Sequence, residues 1–232
     1  MKLKKTTIGE RTTLGMAVLV LGVLAAGCEQ ATSGARVASY EQPQVALVVI
    51  DMQKDFLDPG GKLPALQSQV ADAVEHVNKL IDGARPGGVR VIYVRSEFPK
   101  SAWLRNWQRG YAALEGDPGA ELDPRVHQVG KNVVAKLRGD AFSSPEFVTL
   151  LAEGAVDHIV LVGADNANGI RLTAEGGRSR GFKVQVLRDS VVSSSDRARD
   201  RMISNLLNGG AEGSDSNGAL TDWTRRRRYL SR

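Results

Sequence analysis

Short runs rich in β-branched residues recur along this chain with amphipathic stretches between them, and that alternation constrains its fold more than any other feature. Gln44-Val-Ala-Leu-Val-Val-Ile50 has no polar alternation, as expected of a strand covered on both faces. Similar runs follow at Val89–Val94, Asn132–Ala135, His158–Val162 and Phe182–Leu187. Between the first two, residues 65–82 place Val70, Ala73, Val74, Val77, Leu80 and Ile81 at helical spacing, and Arg85-Pro-Gly-Gly88 stops the pattern. Ser144-Pro-Glu146 opens another helix, with Ser as N-cap and Pro at the first position. A last helix runs from Ser195 to Leu207 and closes at Gly209-Gly210. Strands alternating with helices imply βαβ units. The expected fold is therefore α/β: a three-layer, doubly wound, Rossmann-like sheet, mainly parallel, with five or six strands.

A chain of 232 residues, 42% of them hydrophobic, can fill one core of ordinary size. Its organisation reads as a leader over 1–27, a polar tether over 28–43, one domain over 44–210 and a polar, Arg-rich tail over 211–232. The leader has Lys2, Lys4, Lys5 and Arg11 ahead of an apolar run over 14–26. That run is shorter than the roughly 20 residues a spanning helix needs, so an export signal fits it better. It ends at Leu24-Ala-Ala-Gly-Cys28, which resembles a bacterial lipobox and makes Cys28 the lipidation site. The protein is then expected in the cell envelope, held to the membrane by a lipid on Cys28. The alternative is an ordinary secretory signal that leaves a soluble periplasmic or secreted protein.

The net charge of +5 comes from the two ends, including Arg225–Arg228, and the body between is slightly acidic. Nucleic-acid binding is not expected, because a basic face on the fold is missing. A single Cys excludes an internal disulfide and a thiolate metal centre, and His76, His127 and His158 are far apart in sequence. Neither metal nor cofactor is expected.

Ligands of doubly wound sheets bind at the carboxyl ends of the strands. There stand Asp51 after the first strand, Lys136 after the third, and the Gly163–Gly169 turn after the fourth. The same positions carry a resemblance. Leu47-Val-Val-Ile-Asp51-Met-Gln-Lys-Asp-Phe56, Lys136-Leu-Arg-Gly-Asp-Ala-Phe142 and Val162-Gly-Ala-Asp-Asn-Ala-Asn-Gly-Ile-Arg-Leu-Thr-Ala174 resemble, in order, the three motifs of the isochorismatase-like hydrolases, or cysteine hydrolases, which include nicotinamidases.

The family triad is Asp, Lys and Cys. The resemblance places the first two at Asp51 and Lys136, and Gly169 stands where the nucleophilic Cys would be. Amide cleavage through a thioester is therefore not expected. Isochorismatases hydrolyse a vinyl ether without a thiol, and Asp51 as general acid with Lys136 as partner would suffice for that chemistry. The resemblance also implies a cis peptide between Ala164 and Asp165 that aims amides into an oxyanion hole, with Asp165 set beside it as an unwelcome carboxylate. The helix opening at Gly169 is expected to keep amides free for an anion. Its glycines at 176 and 177 cost about 1 kcal/mol each relative to Ala and read as decay or divergence. Leu57-Asp-Pro-Gly-Gly-Lys62, just after the first motif, has no His, so the metal site that the resemblance implies for nicotinamidases is not expected.

Phe56 of the first motif and Trp103 of the long insert over 96–130 complete the expected substrate site. Trp103, Trp107 and Tyr111 would cover an apolar ligand or form a small satellite core. Asn166 and Asn168 bind substrate or shape the turn, and Arg138 with Asp140 forms a surface ion pair or a substrate clamp. The expected partner is a small-molecule substrate, and relatives suggest a homodimer or higher homo-oligomer. Two functions stand: an exported, thiol-free hydrolase, or an inactive family member serving as an envelope ligand-binding or interaction protein.

Overall fold

A computed structural model describes residues 29–230, and the chain from Ala31 on forms one compact unit. Its strands are β1 (Gln44–Ile50), β2 (Arg90–Ser96), β3 (Val133–Lys136), β4 (Val156–Ala164), β5 (Lys183–Val192) and β6 (Glu212–Ser214). All pair in parallel, in the order β3-β2-β1-β4-β5-β6. The helices are α1 (Lys54–Leu57), α2 (Gln67–Gly87), α3 (Trp103–Gln108), α4 (Pro145–Glu153), α5 (Gly169–Ser179), α6 (Asp196–Asn208) and α7 (Ser216–Leu230).

The sheet is the middle of three layers. Along β1, Val45, Leu47 and Val49 feed one core, and Ala46, Val48 and Ile50 feed the other, because successive side chains leave opposite faces. Val77 and Leu80 of α2 and Trp223 of α7 close the first core. Phe147 of α4, Ile170 and Ala174 of α5 and Ile203 of α6 close the second. The strand order reverses direction between β1 and β4, and the carboxyl ends of those two strands frame the crevice.

Several expectations need correction. Residues after Gly210 are not a tail. Asp189 of β5 accepts the backbone amide and the hydroxyl of Ser216, which fixes the start of α7. Ala219 and Trp223 are then buried against α2. Nor is the segment from Thr32 a free tether, since it is bonded to two buried side chains. Thr32 donates its N–H and hydroxyl to Asp140, and Arg180 donates to the Thr32 carbonyl and hydroxyl. Helix α2 runs past Ile81 to Gly87 with Pro86 in its last turn, and Gly88 caps it at φ +71°. Ser144 stands at the N-cap of α4 without a side-chain bond, whereas the Ser195 hydroxyl caps α6 by accepting from the Ala198 amide. The leader and Cys28 lie outside the described residues.

Candidate active site

The inter-strand register assembles the site. Ile50 pairs with Val94 and Ser96 pairs with Lys136, so Asp51, Ser96 and Lys136 emerge together at the carboxyl edge. Asp51 Oδ1 accepts the Ser96 hydroxyl at 2.9 Å, and that hydroxyl accepts from Lys136 Nζ at 2.7 Å. Lys136 Nζ also lies 2.9 Å from Asp51 Oδ2 as an ion-pair contact. The Lys136 side chain is 0% exposed and that of Asp51 1% exposed, so each charge depends on the other for compensation.

Asp51 is held in a left-handed conformation at φ +54°, unusual for a residue with a side chain. Gln53 braces that turn. Its side-chain amide donates to the Ser96 and Ala120 carbonyls, and its side-chain oxygen accepts the Ser96 amide. Phe98 lies beside the pair, its ring centre 5.7 Å from Lys136 Nζ, with the Arg109 guanidinium 3.9 Å from that centre. Asp55 secures the insert by accepting the Ala113 amide at 2.7 Å.

Gly169, the first residue of α5, faces this pair. A Cβ at that position would lie 2.3 Å from Asp51 Oδ2 and 2.9 Å from a methyl carbon of Ile50. The Asp51 carboxylate thus fills the space that a side chain at 169 would need, and Oδ2 receives no directed hydrogen bond among the described residues. Gly163 is needed for a related reason: at φ +124° its Cβ would meet the Ile50 carbonyl oxygen at 2.0 Å.

The third motif departs from expectation. The Ala164–Asp165 peptide is trans, like every peptide among the described residues. In this geometry the Asp165 amide donates to the Val192 carbonyl and continues the pairing of β4 with β5. The α5 amides are not all free for an anion either, because Asp165 Oδ1 accepts the Arg171 amide at 3.0 Å. Burial pushes the Asp165 carboxyl up to about 7. The Arg171 amide and charge and the Ile170 amide oppose that shift, and the negative charge of Asp51 adds to it. An oxyanion hole of the expected kind is absent from the described residues, since the Asp165 amide is spent on the Val192 carbonyl.

Asn166 donates to the Leu63 carbonyl at 2.7 Å, tying this turn to the loop after the first motif. Exposed Asn168 adopts φ +60° at the α5 N-cap and shapes the turn. Phe56 is wholly buried in the core beneath α2 and does not line the site. Trp103 is 69% and Trp107 66% exposed, so they form no satellite core. Asp140 is no surface residue; it is buried, accepting from Thr32 and from the Phe142 amide.

Close packing, against that loop at 176 and against the sheet at 177, explains the paired glycines of α5. A Cβ at 176 would lie 2.6 Å from Asp140 Oδ2, and one at 177 would lie 2.9 Å from the Ile159 side chain. They are close-approach positions and not signs of decay. Ser96 is the participant that sequence reasoning missed, because the second apolar run ends at Val94 and only the register brings Ser96 beside Lys136. Among the described residues, no group of three His, Cys, Asp or Glu side chains could hold a metal ion.

The family description that matches is the isochorismatase domain, over residues 45–217. The ureidoacrylate amidohydrolase RutB of Azorhizobium caulinodans is 26% identical over 144 residues, 52% of this chain and 63% of that protein. The chain therefore spans less than two thirds of that relative's length. An Arabidopsis thaliana protein named a probable inactive nicotinamidase is 28% identical over 138 residues, 55% of this chain and 69% of that one. Among solved structures, a cysteine hydrolase from Pseudomonas syringae pv. phaseolicola superposes with a TM-score of 0.71 at 23% identity, covering 83% of this chain and 98% of its own.

Proposed function

The chain belongs to the isochorismatase family, and from that premise we propose that it hydrolyses a small molecule through Asp51 and Lys136 without a covalent intermediate. The observation that carries this reading is the fit between Gly169 and Asp51. The Asp51 carboxylate reaches into the space of the missing nucleophile, and the Ser96-bridged ion pair with Lys136 is intact. Acyl transfer lacks both its thiol and its oxyanion hole here. Vinyl-ether hydrolysis needs neither. It requires a proton placed on the enol-ether carbon, followed by water at the oxocarbenium ion. Asp51 exchanges protons with the reacting groups, and Lys136 balances its charge or receives a substrate carboxylate.

The test is a panel of enol ethers, isochorismate among them, and of small amides, followed by mass spectrometry. An enol ether should be consumed, and Asp51→Asn should abolish its turnover. Amide cleavage, or turnover unchanged in Asp51→Asn, would defeat the reading. A second reading, a family fold kept only to bind a ligand or protein, is favoured by the self-filled α5 amides. A folded chain inert to the whole panel would support it.

We place this activity in the cell envelope on the strength of the leader and Cys28 alone. Cys28→Ser should move the protein from the membrane fraction to the soluble one. Isochorismate is an intracellular metabolite where relatives use it, so the substrate here is a different small molecule. A homodimer or higher homo-oligomer, as relatives form, belongs to this proposal and is read by light scattering.

A further inference from the structure

Two carboxyl groups converge on the first turn of α5. Asp51 Oδ2 stands on the side where a Cβ of Gly169 would project, 2.3 Å from that position. Asp165 closes the amide side of the same turn, with Oδ1 on the Arg171 amide. Both residues are buried, yet among the described residues only Asp51 has a cation against it. The Arg171 guanidinium is turned to Glu175, one helical turn on, at 3.1 Å. One carboxyl is therefore charge-balanced by Lys136, and the other is left to balance itself by holding a proton.

We propose that Asp165 is the proton-donating carboxyl of this site, working beside the Asp51–Lys136 ion pair at the first turn of α5. The proposal rests on the thiol-free hydrolase reading and divides its labour. Two nearby carboxyls in unlike environments split into an acid and a base. The groups facing Asp165 agree with that split. Burial raises it most, the amides and charge of α5 lower it, and the Asp51 carboxylate raises it again, leaving it near 7.

For a vinyl ether the steps balance as follows. The alkene carbon takes the Asp165 proton through its π electrons, leaving an Asp165 carboxylate and an oxocarbenium ion. Water bonds to the cationic carbon through oxygen and gives one proton to the Asp51 carboxylate. The hemiketal then breaks its bond to the ether oxygen. The departing alcohol takes the proton from Asp51, and the hemiketal hydroxyl returns its own to Asp165. Alcohol and ketone are released, and both carboxyls regain their starting states.

Asp165→Asn is the discriminating variant, because its amide oxygen still accepts from the Arg171 N–H while its proton cannot be given up. A merely capping role would leave it close to wild type. The full chain, labelled at aspartate carboxyl carbons, is titrated by NMR as wild type, Asp165→Asn and Asp51→Asn. The resonance lost in Asp165→Asn should titrate near neutrality and move to lower pH in Asp51→Asn. On an enol ether that the wild type consumes, Asp165→Asn should lose about 100-fold or more. It should also lose the fall in rate with rising pH through neutrality that the wild type shows. An Asp165 resonance titrating in the ordinary carboxylate range, or indifferent to Asp51→Asn, overturns the proposal. So does an enol ether turned over by wild type and Asp165→Asn alike, while Asp51→Asn inactivity leaves the hydrolase reading standing. Absence of turnover by the wild type across the panel overturns the hydrolase reading and this division with it.

Discussion

Burial of Asp165 predicts a pH-dependent stability that its replacement should erase. The folded protein holds this proton up to about 7, against an ordinary value of 3.8 in the unfolded chain. The sign follows from which state binds more protons. Between those two values the native state keeps a proton that the unfolded state has released, so stability falls as pH rises through the window. The contribution is complete below the unfolded value and gone above the folded one. A displacement of roughly three units corresponds to about 4 kcal/mol. Asp165→Asn keeps an acceptor for the Arg171 amide and has no charge to bury, so its stability lacks this slope. His158 works the other way, because burial holds its imidazole below the usual value and its contribution is lost as pH falls. It is common to both proteins and cancels in the difference. Denaturant unfolding of both at intervals from pH 4 to pH 8 should show the wild type losing about 4 kcal/mol relative to the variant. A difference constant within about 0.5 kcal/mol across that range would refute the placement of Asp165 as a buried, uncompensated carboxyl.

Lys136→Met leaves the Asp51 carboxylate buried without its cation and should cost about 3–5 kcal/mol, and adding Asp51→Asn should recover part of that loss in a double-mutant cycle. Gly177→Ala raises helix propensity, yet its Cβ meets Ile159, Val184 and Phe142 side chains within 3.3 Å, so it should lower stability by about 1–3 kcal/mol where an exposed helix site would gain. Trp223→Ala should cost about 3–5 kcal/mol by emptying its place against α2, whereas a residue on a solvated tail would cost nothing measurable by thermal unfolding.

Much of the fold was legible because buried parallel strands leave dense apolar runs, and β1 begins and ends where its run does. The last strand and helix were not. Glu212-Gly-Ser214 has no apolar run, and Arg225–Arg228 hide a stripe of only Ala219, Leu220 and Trp223. At the site, Asp51 and Lys136 were legible as charged residues ending apolar strands, which need a partner. Ser96 and the direction of the Asp165 side chain depend on register and on amide positions, which sequence spacing does not encode. The same holds for Gly177, set by Ile159 and Val184 of the sheet, and for Gly176, whose reason lies in the Asp140 loop.

That loop bears on whether the chain has lost its chemistry. Drift in a fold kept only as a scaffold relieves costs, and a fully buried ion pair is a cost that apolar residues of similar volume remove. Asp51 and Lys136 remain, bridged by Ser96 and braced by Gln53, with Asp51 in a left-handed conformation that adds strain. Residue 169 carries no side chain where the Asp51 carboxylate occupies the space, and 176 carries none where Asp140 does. The substitutions that look like losses in sequence are thus matched by neighbours in space. A site maintained at this expense, with a second carboxyl brought to its edge, fits altered chemistry better than abandoned chemistry.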